Sequence, residues 1–305
     1  MNTSSIVKRF TAIGALSAIA FLNVNEAKAQ ISSATITVSA PSATAPTNVA
    51  YCAGATTTAI TLTGSNSATF NVSGGTGIGL NNLTGVTSIP AFLVTNATNA
   101  TIAQTITITP TNGTCEGTPV SFTLSVVPVP TIAATAPVLA CNGTPVTAIS
   151  FTGTNNPAGT VYSWTATGDA VGLATTSGTA SIAGFTLDNT TAANKVAAIA
   201  VSASYTDAGR TCASTGNGGD FTITAYPKPN ATITGVTPIC SGVTAQVTYN
   251  STAGTGPFDV VISDGTTPNT YNSIANGAAI SLGMPSATIT YDLTKITDAN
   301  GCINQ

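Results

Sequence analysis

Ser121–Gly143 reads SFTLSVVPVPTIAATAPVLACNG, and Asp220–Gly242 reads DFTITAYPKPNATITGVTPICSG. Both run in the order strand, proline link, cysteine, glycine. Ser33–Gly54, SATITVSAPSATAPTNVAYCAG, follows the same order. At the start of each, apolar residues alternate with hydroxyls: Phe122, Leu124 and Val126 around Thr123 and Ser125, then Phe221, Ile223 and Ala225 around Thr222 and Thr224. Successive side chains of an extended chain leave opposite faces, so this period of two marks half-buried strands.

The same alternation recurs between the cysteines, as in Thr105-Ile106-Thr107-Ile108-Thr109 and Ala287-Thr288-Ile289-Thr290-Tyr291. Asn194–Ser202 is rich in alanine, but Val196, Ile199 and Val201 suit a strand better, and almost no helix is expected. Cys141 follows Cys52 by 89 residues and Cys240 follows Cys141 by 99, the length of one immunoglobulin-like sandwich. The expected fold class is therefore all-β, with tandem antiparallel sandwiches. Their boundaries are expected at 42–128, 129–228 and 229–305. Pro128, Pro130, Pro227 and Pro229 should make short stiff junctions and a rod.

Upstream, Lys8 and Arg9 precede an apolar run from Phe10 to Leu22, and Ala27-Lys28-Ala29 fits a small-x-small cleavage site. Residues 1–29 are read as a secretory signal peptide and 30–41 as an additional strand, so the mature chain is expected to be secreted, at the cell surface or beyond it. The run is too short to span a bilayer, and no later stretch approaches the roughly 20 apolar residues needed. No membrane insertion is expected. Beyond the signal, Lys195, Arg210, Lys228 and Lys295 face nine acidic residues. Four scattered cations make no phosphate-binding surface, which excludes nucleic acid as a partner. Solubility must come from Thr, Ser, Asn and Gly, and neutral strands of this kind lack the charged gatekeepers that stop sheet edges from pairing with other chains.

The six cysteines, Cys52, Cys115, Cys141, Cys212, Cys240 and Cys302, are expected to form disulfides. Six cysteines allow 15 connectivities. Spacings of 63, 71 and 62 residues favour sequential pairing: Cys52 with Cys115, Cys141 with Cys212, and Cys240 with Cys302. A zinc thiolate site would need close ligand pairs, and the chain has neither a CxxC nor a histidine.

The stretches TGIGL (76–80), IPAF (89–92), ITITPTNGTCEGTPVSFTLSVVP (106–128) and FTGTNNPAGTVYSWTATG (151–168) resemble the PKD-like repeats of surface proteins from the Bacteroidota. ISDGTTPNTYNSIANG (262–277) and ITDANGC (296–302) look like a related immunoglobulin-like repeat of the same proteins. The resemblance covers nearly the whole mature chain. It implies a sandwich fold and a role in adhesion, gliding or filaments. The WDFGDG signature of true PKD domains is absent, since Trp164 is followed by Thr165-Ala166-Thr167-Gly168-Asp169.

The chain ends look complementary. Modules one and two continue past their second cysteine into Phe122–Val127 and Phe221–Tyr226, whereas Cys302 is followed by Ile303, Asn304 and Gln305, so the third module is expected to lack its last strand. Ala34-Thr35-Ile36-Thr37-Val38 is a strand with no module of its own, and it carries the matching alternation. The expectation is donor-strand complementation: this segment completes the third module of another copy, giving a head-to-tail homopolymer. The match is off by one residue, because Val38 lies 14 before Cys52 and Val126 lies 15 before Cys141. The alternative reading is part of a longer adhesin whose modules bind surface glycans or proteins.

No catalytic site and no cofactor are expected. Histidine is absent, which removes the usual general base. Glu116, Asp169, Asp188, Asp207, Asp220, Asp259, Asp264, Asp292 and Asp298 are dispersed, mostly beside turn residues. Ser263-Asp264-Gly265 and Asp298-Ala299-Asn300-Gly301 could offer oxygens to calcium, but they read as turn formers without the dense acids of a calcium loop, and no metal is expected. Trp164, with Tyr162 on the same face, reads as a core anchor rather than a sugar platform. Sequons such as Asn96-Ala97-Thr98, Asn142-Gly143-Thr144 and Asn230-Ala231-Thr232 are expected by chance in a chain this rich in Asn and Thr.

Overall fold

The computed structural model describes residues 39–113, 115–214 and 218–305. Residues 1–29, read from the sequence as a signal peptide, and Ala34–Val38, read as a strand, lie outside the described residues. The first group of strands is β1 (Val49–Cys52), β2 (Ile60–Thr61), β3 (Thr69–Ser73), β4 (Leu83–Val86), β5 (Ser88–Ile89), β6 (Ile102–Asn112), β7 (Cys115–Glu116) and β8 (Val120–Val127). The main sheet runs β1-β8-β6-β3-β4 with β7 folded back on β6, and the β2-β5 pair covers its inner face. Between them lie Phe70, Val72, Ile106, Ile108, Phe122, Leu124 and Val126, all buried. Each such side chain contributes about 1.5–3 kcal/mol when fully removed from water.

The second group repeats this plan with β9 (Val138–Cys141), β10 (Pro145–Val146), β11 (Val161–Gly168), β12 (Ser177–Thr179), β13 (Phe185–Thr186), β14 (Lys195–Asp207), β15 (Arg210–Ala213) and β16 (Phe221–Tyr226). The sheet order is β12-β11-β14-β16-β9, with β15 on β14 and a separate β10-β13 pair. Trp164 is 5% exposed within this core, as its position on a central strand implied. The alanine-rich segment is indeed strand, because Ala197, Ile199, Val201 and Ala203 alternate inward along β14.

The third group comprises β17 (Asn230–Gly235), β18 (Ala245–Ala253), β19 (Phe258–Ser263), β20 (Pro268–Ile274), β21 (Ala279–Gly283), β22 (Asp292–Thr297) and β23 (Ile303–Asn304). Here two sheets, β17-β18-β21 and β20-β19-β22-β23, enclose Val247, Tyr249, Phe258, Val260, Ile262, Ile280 and Ile296. All-β architecture is thus the outcome, with one short 3-10 turn at Thr76–Ile78 and no α-helix among the described residues.

Three expectations are corrected. The main sheets of the first two groups are mixed rather than purely antiparallel, since β1 lies parallel to β8 and β9 parallel to β16. Ala287–Tyr291 is irregular rather than strand, because among the described residues no partner strand pairs with it. The third correction concerns the disulfides. Among the described residues the bonds are Cys52–Cys212 and Cys141–Cys302, while Cys115 and Cys240 are unbonded and exposed.

Strand geometry explains the pairing. Cys52 lies opposite Val127, and the preceding residue of β8, Val126, pairs with Ile102 at the start of β6. Cys115 pairs with Asn112 at the end of β6. At a rise of about 3.3 Å per residue, those two ends of β6 are roughly 33 Å apart. A disulfide needs Cα atoms within about 7 Å. The two cysteines of one module therefore occupy opposite ends of its sheet, and each first cysteine meets the second cysteine of the following module. Both bridges close at a Cα–Cα distance of 5.5 Å. Each loop they close, 160 and 161 residues in sequence, corresponds to about 5 kcal/mol of denatured-state entropy in the chain model.

Candidate functional site

In the first two groups the last strand is held on both edges. β8 sits between β1, parallel, and β6, antiparallel, and β16 sits in the same way between β9 and β14. Its alternate residues Phe122, Leu124 and Val126, or Phe221, Ile223 and Ala225, fill the core. A side-chain clasp fixes its end. The Asn96 amide donates to the carbonyls of Ala100 and Val126, each at 2.8 Å, and its oxygen accepts the backbone N–H and hydroxyl of Thr98. Asn189 repeats the arrangement one module on, donating to Ala193 and Ala225 and accepting from Thr191. The Asn96 sequon therefore carries a structural clasp, which its reading as a chance glycosylation motif missed; the recurrence of Asn-x-Thr upstream of both long strands was the available signal.

Among the described residues, the third group presents the same neighbours without an occupant. Val236–Cys240 stands where β1 and β9 run, and Ala287–Tyr291 leads into β22 as the first halves of β6 and β14 lead into their hairpins. Neither stretch belongs to a sheet ladder. Between them is a cleft of about 550 Å³ lined by Val236, Ile239, Cys240, Val247, Leu282 and Ile289, among others. Val236 is 78% exposed and Ile289 40%. These β-branched residues in the positions of ladder strands, interspersed with Thr237, Gln246 and Thr288, make a trough with an apolar floor, flanked by backbone that joins no ladder among the described residues. Chemically it can accept an extended peptide with apolar residues at alternate positions.

Of the residues singled out in the sequence, Cys240 lies on this cleft, whereas Cys52, Cys141, Cys212 and Cys302 lie at the module junctions and Cys115 on the β7 hairpin. The proline junctions are packed: Pro128, Pro130, Pro227 and Pro229 are all buried. The acids hold turns. One Asp264 oxygen accepts the backbone N–H groups of Thr266 and Thr267 and the Thr266 hydroxyl. With the Thr267 amide as the largest influence, followed by the amide and hydroxyl of Thr266, the carboxyl is lowered to about 2. The Asp298 carboxylate accepts the backbone N–H groups of Thr255, Asn300 and Cys302. Among the described residues no group of three His, Cys, Asp or Glu side chains could hold a metal ion.

No family model and no curated protein matches the sequence. Among solved structures, the chain is similar to the human desmocollin-1 ectodomain, at 12% identity over 87% of this chain and 57% of that one, with a TM-score of 0.28. It is similar to mouse cadherin-23 repeats EC22-24, at 12% identity over 86% and 94% of the two chains, with a TM-score of 0.31. It is also similar to the N-terminal eight Ig domains of Down syndrome cell adhesion molecule, at 10% identity over 83% and 41%, with a TM-score of 0.28. The chain spans a little over half the length of the desmocollin-1 ectodomain. These are likenesses of all-β tandem architecture alone.

Proposed function

We propose that this protein is a structural subunit of an extracellular filament, in which residues 31–40 of one copy dock as the last strand in the third sandwich of the next. The observation that carries the reading is the apolar cleft between Val236–Cys240 and Ala287–Tyr291, in the position that β8 and β16 fill in the two preceding sandwiches. Ala34, Ile36 and Val38 alternate with Thr35 and Thr37 as Phe221, Ile223 and Ala225 alternate with Thr222 and Thr224, so the segment carries the chemistry the cleft accepts. Donor and acceptor are different segments of the chain, so the contact is heterologous, the kind that builds an open filament where its rotation does not close into a ring. Two disulfides fit an oxidising compartment outside the cytosol. No helix among the described residues is long and apolar enough to cross a membrane.

The test is electron microscopy of the protein from Gln30 onward beside a variant beginning at Ala40. Filaments from the longer chain only are the expected result. Monomers from both sink strand exchange and leave a module of a longer adhesin as the reading.

A further inference from the structure

We propose that Cys240 of one copy and Cys115 of the next form a disulfide that locks the polymer covalently; this rests on the strand exchange proposed above. Both observed bridges obey one rule, joining the first cysteine of a module to the second cysteine of the module after it, at sequence separations of 160 and 161 residues. Carried one step further along the chain, the rule requires Cys240 to meet the second cysteine of a following module. Carried one step back, it requires Cys115 to meet the first cysteine of a preceding one. These two cysteines are the ones left unbonded, and both are exposed.

Their surroundings match the rule. Cys52 and Cys141 lie opposite Val127 and Tyr226, the residues at which each last strand leaves for the next module. Cys240 lines the vacant cleft at the same place relative to an incoming strand. On the other side, the chain enters the first sandwich beside the Cys115 hairpin. Asn66 donates to the Ala40 carbonyl at 3.2 Å, and Gly117, two residues after Cys115, lies so close to the Pro41 carbonyl that a Cβ there would clash. Ile132, which follows the first proline link, packs its side chain against Gly219, seven residues downstream of Cys212, so there too the incoming chain lies beside the segment after the second cysteine. A strand docked in the cleft of one copy thus delivers the Cys115 of its own copy to the Cys240 of its host.

The bond needs a disulfide oxidant, for which oxidised glutathione serves. Cys115 thiolate attacks it, giving a mixed disulfide at Cys115 and one reduced glutathione. Cys240 thiolate then attacks the Cys115 sulfur and expels the second glutathione as thiolate. The two protons lost by Cys115 and Cys240 end on the two glutathione thiolates, so the oxidant takes up two electrons and two protons as two molecules of reduced glutathione.

The experiment polymerises the protein from Gln30 onward in a glutathione redox buffer and reads it on non-reducing denaturing gels, by peptide mass spectrometry and by electron microscopy. The expected result is a ladder of covalent multimers containing a Cys115–Cys240 peptide, lost in Cys115→Ser and in Cys240→Ser. A mixture of the two variants should stop at covalent dimers. Cys115→Ser, which leaves the donor segment and the cleft untouched, should still form filaments, which dissociate fully to monomers on the gel. Filaments with free thiols at both positions overturn the disulfide and leave strand exchange standing. Dimers from either variant alone, or an equal ladder from a variant beginning at Ala40, overturn it as unguided pairing. Neither filaments nor covalent multimers overturn both proposals.

Discussion

The Asp298 carboxylate accepts the backbone N–H of Cys302 at 2.9 Å, while the Asp298 N–H donates to the Cys302 carbonyl at 3.0 Å. This reciprocal pair closes the loop that aims Cys302 at Cys141, and the same side chain also takes the N–H groups of Asn300 and Thr255. Asp298 is among the few buried polar residues. Asp298→Ala leaves three amide donors without their acceptor. The expected cost is about 2–4 kcal/mol of third-sandwich stability, by the usual magnitude for charged hydrogen bonds lost in the interior. Denaturant titration of the oxidised protein checks this, and the Cys141–Cys302 bridge should yield to lower concentrations of reductant than in the parent.

The Asn189 side chain makes hydrogen bonds with four groups while almost fully buried. Asn189→Ala should therefore destabilise the second sandwich by about 2–4 kcal/mol, through loss of the side-chain donor to Ala225 and of the acceptor for the Thr191 amide, while the Ala193 carbonyl keeps the Thr191 hydroxyl as a donor. Asn96→Ala, in the more exposed equivalent, should cost less. Trp164, the one tryptophan of the chain, is buried in the second core. Its fluorescence reports the first variant, and a denaturation midpoint unchanged from the parent would show that the clasp is dispensable.

These clasps mark the boundary of what was legible in the sequence. Alternation along Phe122–Val127 and Phe221–Tyr226 announced strands that the structure reproduces residue for residue in the second case, because a period of two reflects local geometry. The disulfide connectivity depends on which end of a sheet each cysteine occupies. Spacing along the chain does not encode that, since Cys52 and Cys115 are close in number yet separated by the length of β6. Ala287–Tyr291 exposes the converse limit. Its pattern is that of a strand, but a ladder needs a neighbour, and among the described residues that edge is unpaired. The cleft itself was legible as a missing strand; that Cys240 lies on its edge was not.

Asp264 offers a pH test in the β19–β20 turn. Its carboxyl is lowered to about 2 from an ordinary 3.8, chiefly by the amide of Thr267 and then by the amide and hydroxyl of Thr266. A depressed acid stabilises the fold in its charged form. The contribution is complete above about 3.8 and is lost as pH falls through about 2. The Thr266 and Thr267 amides should therefore keep their hydrogen-exchange protection at pH 4 and lose it toward pH 2. Asp264→Asn should weaken protection at neutral pH and flatten the dependence across that window, and a parent-like acid transition in the variant would assign the effect to another group.

The cleft can be closed from within one chain, which separates its chemistry from polymerisation. In the first two sandwiches the last strand starts five residues after Cys115, at Val120, and nine after Cys212, at Phe221. A flexible Gly/Ser link of about four residues after Gln305 matches those connections, and a copy of Ser33–Ala40 placed after it presents Ala34, Ile36 and Val38 to the vacant core. With β-strand addition as the binding mode, main-chain bonds form on both flanks at once. The amides of Ile239, Ile289 and Tyr291 should then exchange at least about tenfold more slowly, an increment of about 1.4 kcal/mol in local opening. The same protein should no longer polymerise, because its acceptor is occupied. Replacing the isoleucine equivalent to Ile36 in the appended segment by aspartate buries an unpaired charge and should reverse both effects. If the appended strand leaves exchange at Ile289 and Tyr291 unchanged, the cleft does not bind this segment, and strand exchange fails at its first step.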